Sequence, residues 1–526
     1  MASKQKEGLH LNLKLLVKTS GIVFLSLVLS KIIGYLYRVI IARYFGPEVY
    51  GLFSIALMIS GWFIAVAALG LSEGLARFIP IYRAKGKSNK VTYIFNLSLI
   101  ILTFSSILSG ILLFFLSEPL ALNVFNNSQL IFYFKVASFI IPATMLTSPF
   151  IGALRAYEKI SIHSFIANII NPLSKFIIIV LLIFMGVKGG STILSYLFGM
   201  IVVLMVSYFV SKRKIPELFI KSDLNKKEKV KTRKLFFSYS FPLLFSGVIL
   251  ILLYWVDTFA IGFYKSVVEV GIYQAAVPIA LLLAIAPELF MQLFFPLISR
   301  EYSKKRTKVI IETSKQVTKW IFLINITAFS LIILFPGAII NIIFGPAYLA
   351  AANALRILAI GAFISAVFIV PTQLIYIIGK SKLVLFNITL AFIMNVILNA
   401  ILVPMPYVLF IENSLGINGA ALATLISIIF LNLLFLAQSK YYLKHIFVRR
   451  KMINIFLAGI IASAFLVYLR SLFTINLFSL ILLFILFLIS YGLLVILFKG
   501  LDKNDFMILD AINSKLAKKR QSMAKV

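Results

Sequence analysis

Long apolar runs separated by short polar segments dominate the pattern of this chain. Each run carries few charges and is long enough to cross the ~30 Å hydrocarbon core of a bilayer as a helix. The pattern predicts an all-α integral membrane protein with about fourteen transmembrane helices, the first of which lacks a cleavage site and stays in place. The predicted spans cover residues 19–43, 49–72, 92–116, 130–153, 160–185, 190–211, 235–263, 271–298, 318–344, 349–378, 383–404, 417–438, 452–470 and 474–498.

The loops between these runs alternate between strongly basic and nearly uncharged segments. One alternate set holds 42 of the 51 Lys and Arg residues, the other set holds four, and five lie inside predicted spans. Cytoplasmic loops carry the Lys/Arg excess, so this split predicts that both termini are cytoplasmic in a multi-pass cell-membrane protein. The net charge of +34 then faces the anionic inner leaflet, and a nucleic-acid partner is not expected.

Segments of the first half recur in the second half in the same order. The motif at Gly51 recurs at Gly271, 220 residues later, and the motif at Gly186 recurs at Gly416, 230 residues later. Each half has six spans, so the pattern predicts two parallel repeats related by an axis along the membrane normal. The predicted organisation is an N-terminal lobe at 1–211, a basic cytoplasmic linker at 212–234, a C-terminal lobe at 235–440, two further helices at 441–498 and a basic cytoplasmic tail at 499–526.

Composition excludes several classes of chemistry. The chain is 61% hydrophobic and 13% charged, has no cysteine, and has only three histidines, which are scattered along it. Disulfides, thiolate metal sites and a cysteine nucleophile are therefore excluded, and no metal site is expected. No P-loop, nucleophile elbow or zinc-protease motif is present, and the external loops are short. The sequence predicts a protein that is not an enzyme and has no cofactor.

Charged side chains inside the predicted spans are the candidates for function, because each costs about 2.5–3.5 kcal/mol at a helix centre. Lys31 and Arg38 share a face of the first helix, with Tyr35 between them. Lys175 shares a face of the fifth helix with two asparagines. These residues predict a water-filled cationic cavity for an anionic headgroup, since Arg binds phosphate in a bidentate manner and Lys as a point charge. Structural ion pairing is the alternative for each.

Three further charges lie in the spans. Lys135 opens the fourth helix and Arg356 the tenth; they are candidates for the same headgroup site or, alternatively, cations that extend to the membrane surface. Asp257 is the single clearly embedded acid. It is a candidate for coupling to H+ or Na+, and its alternative role is to pair with one of the cations.

Three segments resemble those of a known family. The run WVDTFAIGFYKSVVEVGIYQAAVPIA, the run LSKIIGYLYRVIIARYFGPEVYGLFSIA, and AANALRILAIGAF followed by IYIIGKSK are similar to Wzx-type oligosaccharide-lipid flippases, the polysaccharide biosynthesis proteins. These belong to the MOP superfamily with the MATE antiporters and the lipid II flippases. The resemblance implies two six-helix lobes arranged in a V and alternating access. It also implies that Lys31, Arg38 and, with them, Lys175 bind a phosphate, and that helices 13 and 14 line a groove for a lipid tail.

The sequence leaves three candidate functions. The favoured one is a flippase that carries a polyprenyl phosphate- or diphosphate-linked oligosaccharide from the cytoplasmic to the outer leaflet, for assembly of cell-surface glycans. Its partners are that lipid, the surrounding membrane lipids and, where transport is coupled, H+ or Na+; a monomer suffices. A MATE-like exporter of organic cations predicts an acidic cavity, whereas the spans hold more cations than acids. A membrane glycosyltransferase or polymerase predicts a large external loop, which the pattern lacks.

Overall fold

The structure is a computed structural model that describes residues 2–220, 222–444, 449–471, 476–502 and residue 505, with the backbone alone for residues 2–25. It is built from helices joined by short turns. The first half contains α1 (Ala2–Ala67), α2 (Leu71–Ala84), α3 (Ser88–Pro119), α4 (Gln129–Ala156), α5 (Ile160–Phe165), α6 (Asn171–Phe184), α7 (Ser191–Lys214), α8 (Lys226–Tyr264) and α9 (Val267–Ala280).

The second half continues in the same manner and adds one small hairpin. Its elements are α10 (Ile285–Ser303), α11 (Thr307–Leu334), α12 (Pro336–Ile343), α13 (Ala352–Val367), α14 (Ile369–Ile377), α15 (Ser381–Leu402), β1 (Tyr407–Val408), β2 (Ile411–Glu412), α16 (Ile417–Leu443), α17 (Lys451–Arg470) and α18 (Leu477–Leu497). Strands β1 and β2 pair antiparallel in the turn between α15 and α16. The predicted basic tail at 499–526 lies mostly outside the described residues.

The predicted membrane architecture is confirmed. Thirteen helical stretches of the described chain are long and apolar enough to span a membrane. The first of them, Ser26–Ala67, contains two of the predicted spans. Gly46 divides it with a φ of +81°, a conformation that glycine adopts without steric cost, and Pro47 follows. About fourteen spanning helices is therefore the right count.

Helices extend into two segments that the sequence pattern left as loops. The basic segment 73–92 contains most of α2, which buries one apolar face that includes Leu75, Phe78 and Tyr82. The linker at 212–234 is largely helical, because α7 continues to Lys214 and α8 begins at Lys226. Both segments are too polar to span a membrane, so a search for apolar runs does not find them.

The described residues form two compact units. Unit 1 contains Met1–Pro278, Ile343–Ala351 and Ile388–Ala423, and unit 2 contains Ile279–Ile342, Ala352–Asn387 and Thr424–Val526. Segments of the second half thus belong to the unit that holds the first half. The lobe boundaries drawn from the repeat stay a prediction.

Close helix packing in unit 1 depends on small residues beside carbonyl groups. A Cβ atom added to Gly110 of α3 would lie 2.7 Å from the carbonyl oxygen of Ser138 in α4. Pro142, four residues after Ser138, has no N–H with which to bond that carbonyl inside the helix. Gly110 therefore lets α3 approach α4 closely at the Ser138 carbonyl, which Pro142 leaves without its usual helical donor.

In unit 2, α17 and α18 pack against α11 through an apolar core. Ile326 of α11 and Phe487 of α18 are buried in one cluster with residues of α17. The hydroxyl of Tyr491 donates to the carbonyl oxygen of Leu323 at 3.2 Å, which fixes α18 along α11. The two C-terminal helices are thus integral parts of this unit.

A charged cluster joins the same three helices at their predicted cytoplasmic ends. The Lys319 ammonium is fully buried, 2.8 Å from Asp502 and 2.5 Å from Asp505. Asp502 also pairs with Arg449 at 2.7 Å and with Lys451 at 2.5 Å. Burial alone would raise the pKa of Asp502, but hydrogen bonds from these three cations hold that pKa well below its usual range. Because the pKa of Asp502 is lower in the folded state, its ionised carboxylate stabilises the fold. This contribution is complete above the ordinary Asp pKa and is lost as the pH falls through the lowered value.

We expect Lys319→Met to destabilise the protein strongly. The substitution leaves two carboxylates without their buried cation, and breaking one partner of a buried pair costs about 3–5 kcal/mol. Thermal unfolding in detergent checks this, with Lys308→Met as the control, because Lys308 lies on the exposed side of α11. Equal melting temperatures for the two variants would contradict the prediction.

Candidate functional site

The centre of the candidate site is the guanidinium of Arg38 on α1. Its side chain is partly buried, and Tyr50 is close enough to interact with it electrostatically. Tyr35, one turn earlier on α1, and Tyr254 of α8 are close enough to interact with it electrostatically. Among the described residues, no carboxylate forms an ion pair with Arg38. Arg38 thus has tyrosines near it and a charge that no described carboxylate neutralises.

The hydroxyl of Tyr35 gives an independent sign of a missing ligand at this position. It is buried and has no hydrogen-bond partner in the described part of the chain. A buried polar group left in this state costs about 1–3 kcal/mol, so a polar group from a ligand or a water molecule is expected to satisfy it. The guanidinium N–H groups of Arg38 and the O–H of Tyr35 are hydrogen-bond donors, which phosphate oxygen atoms accept from.

Lys31 lies two turns before Arg38 on the same face of α1, and its side chain is exposed. The hydroxyl of Ser26, five residues before Lys31 on α1, accepts a hydrogen bond from the amide of Asn168 at 3.4 Å. Asn168 lies in a π-helical turn at Ile166–Ile170, and the side-chain oxygen of Asn171, just after it, is buried without a hydrogen-bond partner among the described residues. Polar groups of the segment that joins α5 to α6 thus face this part of α1.

Lys175 on α6 is buried and has an aromatic partner. Its Nζ atom lies 3.7 Å from the ring centroid of Tyr196 on α7, which is cation–π geometry. Gly199, one turn further along α7, makes room for this lysine: a Cβ atom there would lie 2.5 Å from the Lys175 Cγ. Packing between α6 and α7 therefore fixes where the ammonium lies.

The other two predicted cations have contacts near the ends of helices. The Lys135 side chain is exposed, with Nζ 5.5 Å from the ring centroid of Phe114. Arg356 is exposed and donates to the carbonyl oxygen of Ile333 at 3.2 Å and to the Asn353 side chain at 2.9 Å. Arg356 belongs to unit 2 and the other four cations belong to unit 1.

Asp257 of α8 is buried in a polar cluster of unit 1. One carboxylate oxygen accepts from the hydroxyl of Tyr273 at 2.5 Å, and the other accepts from the amide of Asn399 at 3.0 Å. Asn395, one turn earlier on α15, accepts from the same Asn399 amide. The carboxylate thus accepts hydrogen bonds from the neutral groups of Tyr273 and Asn399. Carboxylate and amide oxygen atoms, both present here, are ligands of hard cations.

An apolar cavity of about 310 Å³ lies in unit 2 between α11, α13 and α17. The residues that line it are all apolar and include Phe322, Phe363 and Phe456. A cavity with this lining is suited to hydrocarbon, because it offers no partner for a polar group.

The sequence did not identify Tyr50, Tyr254 and Tyr196 as parts of the site. A tyrosine in an apolar span is common and carries no signal by itself. Tyr50 lies on α1 itself, beyond the break at Gly46, and only the packing of α1 against α8 and of α6 against α7 brings Tyr254 and Tyr196 to the cations.

We expect Gly199→Ala to lower stability and to displace Lys175. The new methyl group would meet the Lys175 backbone at 3.1 Å as well as its Cγ, so α6 and α7 must separate, at a typical cost of about 1–3 kcal/mol. Gly247→Ala on α8, which meets no atom within 4 Å, is the matched control. Thermal unfolding in detergent compares the two, and a Gly199→Ala variant that melts with the control would contradict this packing.

Comparison with known proteins shows the family and the fold. The chain is 24% identical over 354 residues to a putative O-antigen transporter of Shigella flexneri, covering 65% of this chain and 80% of that one. Its fold is similar to that of the lipid II flippase MurJ in an inward closed conformation, with a TM-score of 0.68 at 20% identity over 90% of this chain and 97% of the other. It is also similar to an inward-facing multidrug resistance MATE family transporter of the MOP superfamily, with a TM-score of 0.64 at 14% identity over 80% and 98% of the two chains. The polysaccharide biosynthesis protein family matches residues 16–302, more than half of the chain, so this membrane protein belongs to that family.

Proposed function

We propose that this protein is a flippase for a lipid-linked oligosaccharide, a polyprenyl phosphate or diphosphate that carries sugars. The observation that carries the proposal is Arg38, a cation inside a predicted span that has tyrosines near it and no ion pair with a carboxylate among the described residues. A cation kept for structure would be neutralised, as Lys319 is by two carboxylates. The unsatisfied hydroxyl of Tyr35 beside Arg38 supports an anionic ligand at the same place.

In this mechanism the phosphate binds Arg38, with Lys31 and Lys175 as further cations of the first half. The guanidinium gives bidentate, charge-assisted hydrogen bonds, which are the strongest contacts available to a phosphate. The sugars occupy the polar space beside it, so they cross the membrane without entering hydrocarbon, where each unsatisfied hydroxyl costs several kcal/mol. We assign Lys135 and Arg356 to anchoring of helix ends, on the basis of their exposed positions.

The lipid tail stays in an apolar environment during transport. The cavity lined by Phe322, Phe363 and Phe456 offers such a surface beside α17, one of the two helices that follow the duplicated body. The proposed transport runs from the cytoplasmic to the outer leaflet of the cell membrane by alternating access, with both termini cytoplasmic. The related proteins named as an O-antigen transporter and a lipid II flippase support a substrate of this class.

We expect Arg38→Gln to reduce flipping of a fluorescent polyprenyl-diphosphate sugar in proteoliposomes by roughly 10- to 100-fold, since a charged hydrogen bond contributes about 1.5–3 kcal/mol. Arg155→Gln is the control, because Arg155 is an exposed arginine at the end of α4. If the wild-type protein does not flip this lipid but exchanges an organic cation for protons or sodium, the flippase proposal is wrong and the protein is a MATE-like exporter. Full activity in Arg38→Gln would refute the phosphate site alone.

Asp257 is proposed to couple transport to H+ or Na+. Asp257→Asn preserves one acceptor oxygen but removes the charge that would bind the ion, so we expect transport to lose its dependence on an imposed ion gradient. The measurement is the flipping rate with and without a proton or sodium gradient, and Glu118→Gln, an exposed carboxylate at the end of α3, is the control. If the flipping rate of Asp257→Asn still depends on the ion gradient, the carboxylate has a structural role and does not couple transport to the ion.

A further inference from the structure

The hairpin between α15 and α16 presents an apolar tip on the predicted external side. Phe410 is fully exposed, and the exposed fractions of Leu409 and Tyr407 are 69% and 66%. Val408 packs inward and is 4% exposed. Single exposed apolar residues are normal on a protein, whereas a contiguous group of them marks an interaction surface. The tip is therefore suited to a partner that is itself apolar.

The backbone of the turn gives a second sign that the tip binds a partner. The pairing of Val408 with Ile411 leaves Leu409 and Phe410 as a two-residue turn. Both residues have a positive φ, +46° and +66°, a conformation that Asn and Gly adopt readily and bulky residues do not. An Asn-Gly pair would form the same turn with less strain. The two apolar side chains are thus present against the preference of the backbone, as well as against that of water.

Asn413 fixes the base of the hairpin to both neighbouring helices. Its side-chain amide donates to the carbonyl oxygen of Leu402, the last residue of α15, at 2.8 Å and to that of Met405 at 2.7 Å. Its side-chain oxygen accepts from the backbone N–H of Gly419 in α16 at 2.8 Å. Asn413 is 1% exposed, so water does not compete for these bonds. The hairpin is therefore a fixed extension of the two helices.

The apolar surface of the tip continues the exposed surface of α15. Ile393, Ile397 and Ile401 are spaced four residues apart, so they share one face of this span, and all three are exposed. No charged residue occurs from 383 to 411. The exposed apolar face of a spanning helix contacts lipid, whereas a protein interface has a polar rim, which this stretch lacks. Lipid is therefore the partner that fits the tip.

The size of the hairpin agrees with a partner at the membrane surface. Each strand is two residues long, so the tip lies about 7 Å from the base of the hairpin, at ~3.3 Å per residue. The headgroup layer on each side of the hydrocarbon is about 5–8 Å thick. A hairpin that starts where α15 ends therefore keeps its tip within this layer, in which aromatic side chains accumulate.

We propose that the hairpin at 407–412 anchors the protein in the outer leaflet of the membrane. Leu409 and Phe410 insert below the headgroups, and Tyr407 lies at headgroup level. The anchor holds the external end of α15 at a fixed depth, and with it Asn399, which donates to Asp257. This role does not depend on which substrate the protein carries.

The depth of the tip can be measured with one label, because the chain has no cysteine of its own. Phe410→Cys is labelled with the fluorophore NBD in phosphatidylcholine nanodiscs, and we expect doxyl-labelled lipid to quench it strongly and aqueous iodide weakly. Asn126→Cys is the matched control, because Asn126 is also exposed and has a φ of +48°, but is a polar residue of another predicted external loop. We expect the reverse order of quenching there.

The double substitution Leu409→Asn, Phe410→Gly removes the apolar side chains and keeps the turn, since Asn-Gly favours positive φ at both positions. The label is then placed at Tyr407→Cys, with and without the double substitution. We expect the double substitution to increase quenching of this label by iodide and to decrease quenching by doxyl-labelled lipid. Thermal unfolding in detergent verifies that the variant is folded.

Three results would overturn the anchor. Equal iodide quenching at positions 410 and 126 would show that the tip lies in water. A label at 410 that is protected from both quenchers would show that a protein surface, such as that of a second copy, covers the tip. Unchanged quenching at 407 in the Asn-Gly variant would show that Leu409 and Phe410 do not hold the hairpin in lipid.

Discussion

Backbone hydrogen bonding in hydrocarbon is the constraint on which the rest of this structure depends. No water is present there to satisfy a free carbonyl, so every helix break must be compensated by the protein. Serine hydroxyl groups add bonds to carbonyl oxygens inside the helices, as that of Ser174 does to Asn171 of its own helix and Gly199 of the next. Where Pro278 frees the carbonyl of Gln274, the compensating donor is a tyrosine from another helix. Proline positions thus decide where helices of this protein become dependent on each other.

Lys319 and Arg38 differ in whether neighbouring carboxylates neutralise their charge. Lys319 is fully buried, and two carboxylates neutralise it where α11 meets the end of α18. Arg38 instead has tyrosines near it, which do not cancel its charge. A neutralised cation holds helices together, whereas a cation solvated by neutral oxygens retains its attraction for a phosphate.

One turn of α9 brings the elements of the site together. Gly271 makes the close approach to α1, Tyr273 donates to Asp257, and Gln274 receives the hydroxyl of Tyr50. Movement of this turn therefore affects the carboxylate proposed for ion coupling and the tyrosine beside the proposed phosphate site at once. The link needs no long chain of intermediates, because the three residues are nearly adjacent in sequence.

The sequence by itself determined the membrane class, the number of spans and the family, because hydrophobic length and glycine- and tyrosine-containing motifs are local properties. It also selected Arg38 and Asp257, since a charge in an apolar run is conspicuous without any structure. Tertiary packing alone decided that Arg38 faces tyrosines, that Lys175 lies over Tyr196, and that Lys319 is buried. It also decided that amphipathic segments such as α2 are ordered helices. Those outcomes depend on which faces meet between helices distant in sequence, and an apolar span presents nearly equivalent faces until its neighbours are in place.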